Sequence, residues 1–181
     1  MKISSKNIPE VLVFEPTVYA DDRGYFMETF RAAHFLENGL LGEFVQENQS
    51  RSSKGTLRGL HYQLELPQGK LARVVSGEIF DVAVDLRQSS QTFGLWVGEI
   101  LSSENKKQLW IPPGFAHGFL VLSDSAELIY KCTEYYHPED EHSLLWSDHT
   151  LAIAWPDLDL EPLLSKKDMN AKTLKEAKVY T

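Results

Sequence analysis

Short apolar runs separated by turn residues recur along the chain, and their alternation with polar residues is typical of β-strands. The clearest case is residues 77–87, where four apolar side chains fall on one face of a strand: Phe80, Val82, Val84 and Leu86. Asp81 and Asp85 share the other face. Further strands are predicted at residues 11–14, 17–19, 25–30, 44–50, 56–63, 71–75, 95–101, 108–111, 118–122 and 127–133. Many short strands with turns between them favour a mainly β fold, either a sandwich or a jelly roll.

Two helical segments interrupt this β pattern. Residues 31–38 predict a short helix that stops at Gly39. Near the end of the chain, Ser165 followed by Asp168 forms a candidate capping box, which predicts a Lys-rich helix through Lys178. On the residues alone, this capping role is the better account of Asp168.

Length, charge and cysteine content narrow the class of protein. With 181 residues, 43% of them hydrophobic, the chain suits one compact domain over residues 1–181. The N-terminus lacks the long apolar core of a signal peptide, and charges interrupt every apolar run, so we expect a cytoplasmic protein without a membrane partner. Cys132 is the single cysteine, which excludes an internal disulfide. The net charge of -8 argues against a nucleic-acid partner.

The densest set of chemical groups lies in residues 56–70. Strand alternation would place His61 and Gln63 on one face. A hairpin at the turn over residues 67–69 would then bring Lys70 back towards His61. Two interpretations are possible. His61 is a hydrogen-bonded structural residue and Lys70 is solvated, or the two form a site that contains an imidazole and an amine.

A second stretch, residues 110–119, contains Pro112-Pro113-Gly114-Phe115-Ala116-His117, which resembles the second cupin motif, Pro-x-Gly-x-x-His. In metal-binding cupins the first motif supplies His-x-His and a later Glu. Here the first motif contains His61 and Gln63, and Lys70 stands in the Glu place. An ammonium cannot coordinate a cation as a carboxylate does, so a metal bound by all four positions is excluded. The pocket is expected to remain, with proton-transfer groups in place of the metal.

Two strands add candidate polar groups. In the strand over residues 127–133, Tyr130 shares a face with Leu128 and Cys132, so it is expected to point inward. Residues 44–50 are mostly polar, which fits either the lining of a polar ligand or an edge strand.

Seven blocks spread over nearly the whole chain closely resemble dTDP-4-dehydrorhamnose 3,5-epimerases: residues 22–26, 45–48, 57–61, 68–70, 92–94, 110–112 and 163–168. The resemblance implies a cupin-type jelly roll with a few short peripheral helices and a cofactor-free, usually homodimeric enzyme. It also implies conversion of dTDP-4-dehydro-6-deoxy-D-glucose to dTDP-4-dehydro-L-rhamnose, a step towards the rhamnose of bacterial surface polysaccharides.

The same resemblance implies roles for individual residues. His61 would be the base that removes a proton, and Tyr130 the acid that returns one. Lys70 would be the cation beside the sugar C4 oxygen, and Asp168 the partner of His61. The implied nucleotide contacts are Arg23, Glu28, Gln46, Glu47, Asn48, Arg58, His117, Glu141 and Lys167, with Tyr136 stacking on thymine. Glu47 departs from the family, in which Asp is common at this position.

The chemistry explains why these residue types suffice. A C4 ketone acidifies the hydrogens on C3 and C5, and a cation such as Lys70 can stabilise the enolate that deprotonation leaves. A neutral imidazole suits abstraction near pH 7. Inversion needs a proton from the opposite face, and a nearby Lys70 ammonium is expected to lower the pKa of the Tyr130 phenol that supplies it.

One residue conflicts with simple alternation. Arg58 falls on the opposite face of its strand from His61, although both are implied to serve one site. A bulge at Gly59, or service of Arg58 to the partner subunit's site, would remove the conflict.

Three other functions stay open from the sequence. The first is a metal-dependent cupin that uses His61, His117 and a ligand outside the motif. The second is a non-catalytic module that binds sugar nucleotides. The third is an epimerase that acts at C3 only, or one that serves another deoxysugar pathway.

Overall fold

The computed structural model describes residues 1–40 and 43–181, and most of its regular structure is β-strand. The strands are β1 (Lys2–Ser5), β2 (Leu12–Glu15), β3 (Val18–Asp21), β4 (Gly24–Met27), β5 (Gln46–Ser53), β6 (Leu57–Gln63), β7 (Lys70–Ser76), β8 (Glu78–Asp85), β9 (Trp96–Ser102), β10 (Gln108–Ile111), β11 (Phe115–Val121), β12 (Ser125–Cys132) and β13 (Glu141–Ser143). The helices are α1 (Ala32–Glu37), α2 (Lys166–Met169) and a 3₁₀ turn over Pro138–Asp140. Among these described residues, no helix is long and apolar enough to cross a membrane.

Two large antiparallel sheets pack face to face. One has six strands in the order β1-β2-β10-β7-β12-β5, and the other has five in the order β13-β6-β11-β8-β9. Side chains from both sheets share one buried cluster, with Leu109 and Leu128 from the first and Val97 and Phe119 from the second. This arrangement confirms the predicted β-sandwich.

The outer faces of both sheets are also covered. The alternation predicted for residues 77–87 is confirmed, because Val82, Val84 and Leu86 lie in a cluster on the outer face of the five-stranded sheet, where Leu144 and Leu151 cover them. On the outer face of the six-stranded sheet, aromatic rings pack in a separate cluster around α1, and the rings of Phe14 and Phe35 stack 4.8 Å apart.

The predicted hairpin between β6 and β7 is wrong. β6 belongs to the five-stranded sheet and β7 to the six-stranded one, so the segment between them crosses the edge of the sandwich. The carboxylate of Asp140 accepts hydrogen bonds from the backbone N–H groups of Leu64, Glu65 and Leu66 and fixes the start of this crossing. Lys70 therefore stands on the other sheet from His61.

The helix predicted through Lys178 is also wrong in its length. α2 ends at Met169, where the side chain of Asn170 donates to the carbonyl of Lys166. The chain beyond it bonds to other parts of the fold: Leu145 donates its N–H to the carbonyl of Lys172. Tertiary contacts thus override the helix propensity of this Lys-rich stretch.

Candidate active site

The bulge expected at Gly59 is present in β6. His61 and Arg58 are three positions apart, whereas their partners on β11, His117 and Phe119, are two apart. Gly59 has φ +116°, and a Cβ there would lie 2.7 Å from the backbone of β11. A side chain at this position would be strained and would clash, so glycine is what allows the bulge.

The bulge turns Arg58 to the side of β6 that carries His61. Nε of Arg58 donates to the Ser52 hydroxyl at 3.0 Å, across the sandwich on β5. Arg58 and His61 line the same cavity of about 520 Å³. The remaining lining residues are Thr56, Leu57, Leu163, Leu164, Ser165, Lys167 and Asp168.

A short hydrogen bond joins His61 to Asp168 in this cavity. Nε2 of His61 lies 2.6 Å from Oδ1 of Asp168, whose side chain is only 3% exposed. The Ser165 hydroxyl donates to the other carboxylate oxygen at 2.8 Å and accepts the backbone N–H of Asp168. Asp168 is therefore both the capped residue of α2 and the partner of His61. Burial raises the pKa of Asp168, but the hydrogen bonds from His61 and Ser165 outweigh it and hold the pKa below its ordinary value.

Lys70 and Tyr130 stand on the facing sheet. Lys70 begins β7 and pairs with Cys132 of β12, and its side chain is buried. Burial lowers the pKa of Lys70, while the acidic groups of Cys132, Asp81 and Glu141 oppose that shift. Tyr130 packs against the cluster between the sheets, which confirms that it points inward.

The pKa of Tyr130 differs from the expectation. Burial raises the pKa of its phenol, and the cation that partly opposes this is Arg58, not Lys70. The side chain of Asn48, the neighbour of Tyr130 on β5, also lowers the pKa. The phenol therefore stays protonated near pH 7, as a proton donor must.

His117 forms a second buried histidine–carboxylate pair. Its Nε2 lies 2.9 and 3.0 Å from the two carboxylate oxygens of Asp81 on β8. His117 faces His61 across the β6–β11 pair, so the two pairs stand side by side. Sequence reasoning missed the partnership of Asp81, because alternation placed Asp81 opposite the apolar face of β8 but did not show that its face lies between the two sheets.

Tyr136, Glu141 and Lys167 form a chain of contacts at the edge of the sandwich. The Tyr136 hydroxyl donates to Glu141 at 2.9 Å, and Lys167 Nζ lies 2.7 Å from the other carboxylate oxygen. Gln46 accepts the backbone N–H of Tyr136 at 2.9 Å, and its amide donates to Asn48 at 3.0 Å. Five of the predicted contact residues are thus joined.

Three predicted contact residues lie apart from this cluster. Arg23 pairs with Asp21 at 2.6 Å on the separate two-stranded sheet of β3 and β4, with 89% of its side chain exposed. Glu28 pairs with Arg31 at 2.7 Å and lines a different cavity. Glu47 lies on the opposite face of β5 from Gln46 and Asn48, and pairs with Lys131 at 2.5 Å.

Among residues 1–40 and 43–181, no group of three or more His, Cys, Asp or Glu side chains is arranged to hold a metal ion. At the two positions that depart from the metal-binding cupin motif, the amide of Gln63 is bonded to backbone groups and Lys70 presents an amine. Neither the hydrogen-bonded amide of Gln63 nor the amine of Lys70 is a ligand that a divalent metal prefers.

The family model and the sequence relatives that match this chain carry the same description. A family model described as dTDP-4-dehydrorhamnose 3,5-epimerase matches residues 5–176. A protein of that name from Shigella flexneri is 56% identical over 99% of this chain and 99% of its own length. Another from Neisseria gonorrhoeae is 58% identical over 98% of this chain, which spans 54% of that relative.

A solved structure agrees with these sequence relatives. The chain superimposes with a TM-score of 0.95 on a crystal structure of dTDP-6-deoxy-D-glucose-3,5-epimerase from Legionella pneumophila in complex with dTDP-4-keto-L-rhamnose. The two sequences are 54% identical, and the match covers 98% of this chain and 94% of that one.

Proposed function

Because the chain belongs to the family of dTDP-4-dehydrorhamnose 3,5-epimerases, we propose that His61 and Tyr130 move the protons of its reaction. The enzyme converts dTDP-4-dehydro-6-deoxy-D-glucose to dTDP-4-dehydro-L-rhamnose by inverting C3 and C5. The observation that supports these roles is the placement of an Asp-bound imidazole on one sheet and of a partly buried phenol on the facing sheet.

The first step is proton abstraction by His61. If Nε2–H donates to Asp168, the unprotonated Nδ1 is free to take the proton from C3 or C5. The C–H bond breaks, and its electron pair moves through the carbon skeleton to the C4 oxygen, which becomes an enolate. The depressed pKa of Asp168 keeps its carboxylate charged, so the imidazolium that forms is stabilised where it forms.

The second step is proton return by Tyr130. β12 and β6 lie in facing sheets, so a sugar between them has His61 and Tyr130 on opposite faces. The phenol gives its proton to the carbon, and the enolate returns to the ketone with inverted configuration. Lys70 stabilises the enolate oxygen between the two steps. The acidic groups near Lys70 oppose the loss of its proton on burial, which favours the charged amine that this role requires.

Arg23, Glu28 and Glu47 lie apart from the other predicted contact residues. Their positions support a homodimer in which these three side chains reach the site of the partner subunit. The sheet of β3 and β4 has two strands and carries exposed aromatic side chains, Tyr19 at 65% and Phe26 at 71%. An isolated two-stranded sheet of this kind gains stability from a covering surface. Analytical ultracentrifugation is expected to give twice the chain mass, and a single-chain mass would contradict this proposal. A cytoplasmic location stays a prediction.

Incubation with dTDP-4-dehydro-6-deoxyglucose in deuterated water tests the activity. NMR is expected to detect deuterium at both C3 and C5 together with the rhamno product, at an unchanged rate in the presence of EDTA. Exchange at C3 alone would indicate a single-position epimerase. Activity lost to EDTA and restored by one divalent ion would support a metal-dependent cupin, and binding without exchange would leave a binding module.

Arg58→Ala is expected to weaken dTDP binding by about tenfold or more, because a guanidinium can bind phosphate oxygens through two hydrogen bonds. Isothermal titration calorimetry with dTDP measures the loss. Arg51→Ala is the matched control, since Arg51 lies on β5 with 73% of its side chain exposed. Equal affinities in the two variants would remove Arg58 from the phosphate site.

A further inference from the structure

Gln63 is a buried amide that the proposed chemistry does not use. It is 3% exposed and lies two residues after His61 on β6. Its Nε2 donates to the backbone carbonyl oxygens of Leu66 at 2.7 Å and Tyr135 at 3.1 Å. Its Oε1 accepts the backbone N–H of His137 at 2.9 Å. Both amide hydrogens and one acceptor site of Gln63 are therefore used. The two carbonyl oxygens can only accept, so the atom of the amide that faces them is the nitrogen, and the atom that faces the N–H of His137 is the oxygen.

Two of these three contacts flank Tyr136. Gln63 bonds the carbonyl just before Tyr136 and the N–H just after it, while Gln46 accepts the N–H of Tyr136 itself at 2.9 Å. The Tyr136 side chain projects from this held segment; the residue is 48% exposed. An aromatic ring with so little packing depends on its backbone, and on the hydrogen bond of its hydroxyl to Glu141, for its position.

We propose that Gln63 is a positioning residue for nucleobase recognition. Its amide holds the backbone on both sides of Tyr136, so the ring presents a fixed stacking surface to the pyrimidine of the dTDP moiety. Fixing the ring before binding reduces the conformational entropy that binding must remove. This inference rests on the proposed function, which assigns Tyr136 to the thymine ring.

A double-mutant cycle tests the proposal, with dTDP as the probe in isothermal titration calorimetry. Gln63→Met keeps the side-chain length and removes all three hydrogen bonds, and is expected to weaken dTDP binding about fivefold to tenfold, within the range of base–aromatic stacking. Tyr136→Leu is expected to weaken it at least as much. In the Tyr136→Leu background, Gln63→Met is expected to have little further effect, because Gln63 acts through that ring.

Gln108→Met is the matched control for loss of a buried amide. Gln108 is 2% exposed, and its Nε2 donates to the backbone carbonyl of Thr29 at 2.7 Å. Its substitution is expected to lower the melting temperature and leave dTDP affinity unchanged. If Gln63→Met does not fold, the same cycle is run with Gln63→Glu, which keeps the acceptor for His137 but sets a carboxylate against two carbonyl oxygens.

Steady-state kinetics give a second readout. Gln63→Met is expected to raise KM and leave kcat close to the wild-type value, because His61 and Tyr130 are untouched. An unchanged affinity, an equal loss in both backgrounds, or a fall in kcat without a rise in KM would overturn the proposal. If Tyr136→Leu alone leaves dTDP affinity unchanged, the thymine assignment fails and this inference fails with it, while deuterium exchange still reports separately on His61.

Discussion

His61→Ala is expected to abolish deuterium exchange at both C3 and C5 while leaving dTDP binding nearly intact. A positioned general base contributes about 10²–10⁴-fold in rate, so exchange measured by NMR should fall by at least about 100-fold. Binding survives because the implied nucleotide contacts, such as Arg58 and Tyr136, do not pass through the imidazole. The side chain is 25% exposed, so the cavity itself should disturb the fold little, and the Ser165 hydroxyl still donates to the buried carboxylate of Asp168.

His149→Ala is the control for this prediction, since His149 is exposed and lies outside the cavity. It should exchange deuterium like the wild type. Substantial exchange in His61→Ala would remove His61 from the base role. Loss of dTDP affinity in parallel with exchange would instead mean that the imidazole contributes to binding.

Local patterns in the sequence predicted much of the fold. Alternation within residues 77–87 identified both faces of β8, because each strand residue faces either the space between the sheets or the outer cluster. The sequence also offered a bulge at Gly59 as one of two explanations for Arg58 and His61 serving one site, and the structure has this bulge. These features depend on neighbours in the sequence, which pattern reasoning can use.

The incorrect predictions depend on contacts between distant parts of the chain. The crossing between β6 and β7 is held by Asp140, which lies about 75 residues further along the chain. The Pro-Gln-Gly turn by itself is compatible with a hairpin as well as with this crossing. The early end of α2 likewise follows from bonds such as that between Leu145 and Lys172. The sequence analysis assigned Lys70 as the cation that lowers the pKa of Tyr130, whereas the structure places Arg58 in that role. Arg58 reaches the opposite sheet only because the tertiary fold brings β6 and β5 together.

Tyr130→Phe should separate exchange from epimerisation. The change deletes one hydroxyl and keeps the ring, so β12 should pack as before. If His61 abstracts the proton and Tyr130 returns it, the variant still forms the enolate and takes deuterium from the His61 side with retained configuration. It should yield little inverted product. The raised pKa of Tyr130 keeps the wild-type phenol protonated before each turnover, and the variant lacks the proton that this phenol delivers.

Tyr62→Phe is the matched control, because Tyr62 lies buried on the outer side of β6 and donates its hydroxyl to the backbone carbonyl of Lys178. Loss of that hydrogen bond should cost about 1 kcal/mol of unfolding free energy and leave the ratio of exchange to inversion unchanged. If Tyr130 only donated a structural hydrogen bond, Tyr130→Phe would behave in the same way. The ratio measured by NMR beside a thermal melt separates the two cases, and a destabilised variant with normal coupling would show that another group returns the proton.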